Sequence, residues 1–115
     1  MQPHRNPIAA LEFEIAEERA SALGRLGRGL EAALAALRSF DAEAKLEANE
    51  RQARRDRLVA QAGEALWYLV VQRDACGLHF GNRVIADYGV PREVANRMGP
   101  AAVDETEDQI GSRPR

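Results

Sequence analysis

The chain has 115 residues, 45% of them hydrophobic and 30% charged, and a net charge of −2. That length holds one domain, and mixed charge of this kind argues against nucleic acid as a partner, because such binders are usually strongly basic. One cysteine, Cys76, excludes a disulfide within the chain and points to a reducing, cytoplasmic setting.

Alanine dominates the hydrophobic fraction, with 21 residues. It favours helix but buries little area, so the core is poor in volume. Fifteen Arg against one Lys, with the alanine excess, is a GC-rich signature that points to a bacterium. The first twenty residues carry Glu12, Glu14, Glu17 and Glu18 and lack the basic-then-apolar order of a signal peptide. The longest apolar run, Ala65–Val71, has seven residues, far short of the roughly 20 that span a bilayer. A membrane segment is therefore not expected.

Residues 1–5 are expected to fray. Asn6-Pro7 is a helix start: Asn caps the free amides, and Pro at the first helical position loses no hydrogen bond. Ile8, Leu11 and Ile15 form an apolar stripe, with glutamates near the helix start where they suit its dipole. Leu23, Leu26, Leu30, Ala33, Leu37, Phe40 and Ala44 then follow at steps of three and four, a heptad ladder on one helix face. Gly24, Gly27 and Gly29 each cost about 1 kcal/mol against alanine. The ladder runs straight through them, so the segment reads as one helix, kinked if anywhere at Gly24–Gly29. Ser39 and Asp41 are plausible caps and place a turn at 39–42. A second long helix then runs to Cys76. Its Arg51, Arg54, Arg55 and Arg57 read as a solvated face beside the preceding glutamates rather than as an anion site.

The stripe Leu58, Ala62, Ala65, Leu66, Leu69 and Val70 repeats the helical period. Leu66–Val71 is apolar on every side, which predicts burial all round, with Trp67 and Tyr68 as the anchors. Gly77 reads as a C′ glycine followed by apolar Leu78. Asn82 caps a short helix, Arg83–Tyr88, ended by Gly89. Pro91 opens another short helix, stopped by Gly99-Pro100. From residue 100 the chain is acidic and without period, and is expected to be disordered.

No catalytic triad, phosphate loop or metal-ligand cluster is present, so no catalytic, cofactor-binding or metal-binding residue is assigned. Cys76 and His79 have a C-x-x-H spacing, but a zinc site needs three or four ligands, and the only other histidine is His4. Val84–Gly99 has the outline of a helix-turn-helix, with Arg92, Asn96 and Arg97 where base-reading side chains would stand. Against this, Ala86 lies three residues before Gly89 where four is usual, and the local charge is close to neutral. Val90, Val94 and Met98 recur at i, i+4 and i+8, which explains the segment better as a lid over Trp67 and Tyr68.

Gln72–Leu78, Tyr88–Val94 and Arg97–Gly99 together resemble a family of short, uncharacterised bacterial proteins. The resemblance covers about the last third of the ordered chain. It implies an all-helical fold and no assigned activity, and carries no site residue with it. It draws attention to the polar set Gln72, Arg73, Asp74, Asp87 and Tyr88. Arg73 follows a buried stretch and needs a carboxylate. Asp87 or Asp74 is expected to supply it and to pin the lid to the long helix.

These readings give an all-α protein: a long helical hairpin over residues 6–99 with two short C-terminal helices packed over the Trp67 region. The Ala-rich hairpin leaves its Leu23–Phe40 stripe wide and apolar. Two hairpins back to back would make a four-helix bundle. The expected function is a non-enzymatic interaction or scaffold module. Its expected partner is its own copy or another helical protein.

Overall fold

The structure, a computed structural model, describes residues 6–43, 45–79 and 81–100. The segments read as a frayed start and, from residue 101, an acidic tail lie outside them, as does Ala44. Four helices follow one another: α1 (Pro7–Glu43), α2 (Ala48–Ala75), α3 (Gly81–Tyr88) and α4 (Arg92–Asn96). Among the described residues there is no strand. The protein is all-α, an antiparallel hairpin of α1 and α2 with two short helices closing over it.

The Asn6 side-chain oxygen accepts from the amides of Ile8 at 3.0 Å and Ala9 at 3.3 Å, as a cap ahead of Pro7 does. α1 then continues for 37 residues, about 55 Å, unbroken through its three glycines. Gly27 is buried, and a Cβ there would collide with the Tyr88 hydroxyl of α3. The glycine that weakens the helix thus makes room for the third one.

The turn falls after Glu43, not at 39–42. Ser39 and Asp41 stay helical because their neighbours are held from α2. The Arg51 guanidinium lies 5.0 Å from the Phe40 ring centroid, and Asp41 pairs with Arg55. Tertiary contacts override a local capping preference.

The core joins Leu30, Leu34 and Leu37 of α1 to Val59, Ala62, Leu66 and Leu69 of α2, with Val84, Val90 and Val94 from the C-terminal segment. α2 ends in a Schellman motif: Leu78 N–H bonds the Arg73 carbonyl at 2.8 Å and Gly77 N–H that of Asp74 at 2.9 Å. Gly77, at φ 86°, supplies the left-handed residue. α3 begins at Gly81, so Asn82 sits inside it rather than capping it. α4 approaches α2 so closely that a Cβ on Gly63 would strike the Arg97 carbonyl.

The all-round burial expected of Leu66–Val71 does not occur. Leu66 and Leu69 are buried, but Trp67 is only half-buried, and Tyr68 and Val71 are each 48% exposed. The covering helices sit on the Gly63, Leu66 and Val70 side, leaving the opposite face of α2 open. Val90 and Val94 are core residues as the lid reading required, whereas Met98 is exposed.

Candidate interaction surface

The Leu23–Phe40 ladder was the expected docking surface, and the fold uses it internally. Leu30 and Leu37 are 0% and 3% exposed. Leu23, Leu26 and Ala33 are partly buried against the same core, and Phe40 is half-buried under Arg51. The hairpin's own core takes up the buried part of the stripe.

The uncovered apolar surface lies elsewhere. Every residue from Asn6 to Ser21 is exposed. In this stretch Ile8 is 67%, Leu11 56%, Phe13 65% and Ile15 41% exposed. A difference in length contributes. α1 has 37 residues and α2 has 28, so the first turns of α1 extend past the point where α2 supplies side chains. The hairpin connection puts the C-terminal half of α2 toward this same end, and there Tyr68, Val71 and Leu78 are also exposed. Sequence inspection registered Ile8, Leu11 and Ile15 as a stripe, but not that nothing in the hairpin reaches it.

The pin between lid and hairpin exists, but Arg55 forms it. The Arg55 guanidinium donates to Asp41 of α1 at 2.7 and 3.0 Å and to Glu93 of α4 at 2.8 and 2.7 Å. One cation therefore joins three helices through two bidentate contacts. Hydrogen bonds from Arg55 hold the Asp41 and Glu93 carboxyls below their ordinary values, and the same bonds raise the guanidinium. Arg73 makes no ion pair with Asp87 or Asp74 among the described residues. Asp74 lies 3.0 Å from the His79 ring instead, and Asp87 is exposed on α3. Arg73 and Asp87 do line one open cavity of about 730 Å³ between α1 and α3, with Glu31, Arg38 and Tyr88. The Arg73 Nε is buried there without a hydrogen-bond partner.

Cys76 is half-buried, 3.8 Å from the Gln72 amide. Among the described residues no group of three or more His, Cys, Asp or Glu is placed to hold a metal ion. Arg92, Asn96 and Arg97 are exposed. They belong to a helix of five residues and the position after it, a segment docked on α2 with the Arg97 carbonyl against Gly63. No described helix is long and apolar enough to cross a membrane.

The geometry is that of a helical hairpin protein, clamped at one end and apolar and open at the other. The chain belongs to a family of unknown function, DUF6665, whose profile it matches over residues 2–106. No curated protein and no solved structure matches it.

Proposed function

We propose that the protein is a non-enzymatic, cytoplasmic helical interaction module that associates with its own copy through the N-terminal segment of α1. One observation carries this reading. Ile8, Leu11 and Ile15 stand exposed along one stripe at the start of α1, with Phe13 exposed on its other side, in a stretch that no other described residue covers. Large side chains in that number on one short segment mark an interaction surface rather than ordinary scattered exposure. A contact confined to this stripe is smaller than a standard interface, the class in which weak, transient complexes fall. A weak, reversible dimer is the expectation.

The test is solution mass by light scattering over a concentration series, for the unmodified chain and for Leu11→Glu with Ile15→Glu. A mass rising toward two chains, lost in the double variant with helicity kept, supports the reading. A single-chain mass at every concentration rejects it.

A further inference from the structure

The charges on α1 are separated into two blocks. Residues 7–18 carry Glu12, Glu14, Glu17 and Glu18 and no base, whereas residues 19–30 carry Arg19, Arg25 and Arg28 and no acid. All seven side chains belong to exposed residues. Ile8, Leu11, Ile15, Glu18, Ala22 and Arg25 fall at steps of three and four, so one helical stripe crosses both blocks. That stripe lies roughly 110° around α1 from the buried face of Gly27, Leu30, Leu34 and Leu37, at 100° per residue. It can take a second helix without disturbing the hairpin.

Among the described residues, the ion pair between the blocks is Arg25 to Glu18 at 3.6 Å, with both side chains more than half exposed. That pair is too solvated to hold either charge in place.

We infer that two copies dock with their α1 N-terminal segments antiparallel, the acidic block Glu12–Glu18 of each lying on the basic block Arg19–Arg28 of the other. The inference rests on the self-association proposed above and adds its direction. A parallel pair would set Glu14 and Glu18, which flank the stripe, against their own copies and Arg19 and Arg25 against theirs. An antiparallel pair sets unlike charges together twice, once at each end of a two-fold interface. It also brings Ile15 onto Ala22 of the other chain, a small residue on the same stripe.

Salt and charge reversal give opposite signs for the two directions. The dimer constant of the unmodified chain is measured by light scattering from about 0.05 to 0.5 M NaCl, a range over which exposed charges become screened. Glu14→Arg with Glu18→Arg, Arg19→Glu with Arg25→Glu, and an equimolar mixture of these two variants are then compared at low salt.

The expected result is a dimer that weakens with salt, that weakens roughly tenfold in each variant alone, and that returns in the mixture. A dimer that tightens with salt, or tightens on Glu14→Arg with Glu18→Arg, overturns the antiparallel arrangement and leaves self-association standing. A chain that stays monomeric at every salt concentration overturns both. Circular dichroism of each variant, whose changes all fall on exposed positions, confirms that helix content is retained.

Discussion

Gly63→Ala puts the contact between α2 and α4 to a direct test. In an open helical position this substitution stabilises by about 1 kcal/mol, because alanine is the better helix former. At Gly63 the new Cβ would strike the Arg97 carbonyl oxygen and lie 2.8 Å from its carbon and 3.2 Å from the Arg97 Cβ. Those are mainly backbone atoms, which cannot swing aside as a long side chain can, so α4 must move. Lifting it off exposes Val94, now 0% exposed, at about 1.5–3 kcal/mol. It also strains the Arg55–Glu93 contact, worth about 0.5–1 kcal/mol at this exposure. Set against the helix gain, the net is a loss of about 1–3 kcal/mol, with Tm falling by about 4–8 °C for each. Gly29→Ala is the control. It lies in the interior of α1 with nothing within 4 Å of a Cβ, and should gain about 0.5–1 kcal/mol. Urea unfolding at one protein concentration reads both, and hydrogen exchange at residues 92–97 should quicken only in Gly63→Ala. Equal stabilisation by the two substitutions would refute the docking of α4 on Gly63.

Other substitutions address the remaining contacts. Arg55→Met removes the three-helix clamp and should cost about 1–2 kcal/mol in urea unfolding, with faster exchange in α4; an unchanged midpoint would mean that the clamp adds nothing. Asp41 and Glu93 are held below their ordinary 3.8 and 4.5. Their contribution is therefore present above those values and lost as pH falls through the lowered ones. Between pH 5 and pH 2 the unmodified chain should accordingly lose more stability than Arg55→Met, as a pH series of thermal melts would show. Gly27→Ala brings a Cβ onto the Tyr88 hydroxyl, so in a double-mutant cycle it should be better tolerated in a Tyr88→Phe background; strict additivity would contradict that contact.

Local signals were legible wherever one residue decides the outcome. Asn6-Pro7 starts α1, Gly77 closes α2 with a left-handed turn, and Val90 and Val94 enter the core at the spacing that marked them. The ladder from Leu23 to Phe40 was legible as a buried stripe but not as to its cover, because a heptad pattern looks the same whether the matching helix is in this chain or another. Arg55 was hidden in a cluster with Arg51, Arg54 and Arg57. Its partners lie 14 and 38 residues away, beyond any local pattern. A signal was nonetheless present. Arg55, Val59, Ala62, Leu66, Leu69 and Arg73 are spaced by four, three, four, three and four. An arginine therefore stands at each end of the buried stripe of α2. The need for a carboxylate inferred at Arg73 applies equally to Arg55, and it is Arg55 that meets one. The overhang of α1 was not legible, since it depends on how far α2 reaches, and that depends on where the chain turns.

The clamp and the core stabilise one part of the hairpin and leave the other unsupported. Leu30, Leu34, Leu37 and the Arg55 contacts lie toward the turn, whereas every residue from 6 to 21 is exposed. A helical segment of that length is marginal in water by itself, and in proteins most helix stability comes from packing an apolar face. The alanines at 9, 10, 16 and 20 raise its helix propensity but supply no burial. Docking a second copy on this segment would supply it, so association and helix order should be linked, as binding to a folded state links them generally. Amide exchange separates this from a dimer of preformed rods. In dilute protein, residues 8–18 should exchange quickly while residues 30–37 remain protected. Raising the concentration through the dimer constant should slow exchange at 8–18 and leave 30–37 unchanged. Protection at 8–18 that is independent of concentration would show that the segment is ordered without a second copy, and would remove the coupling between assembly and folding.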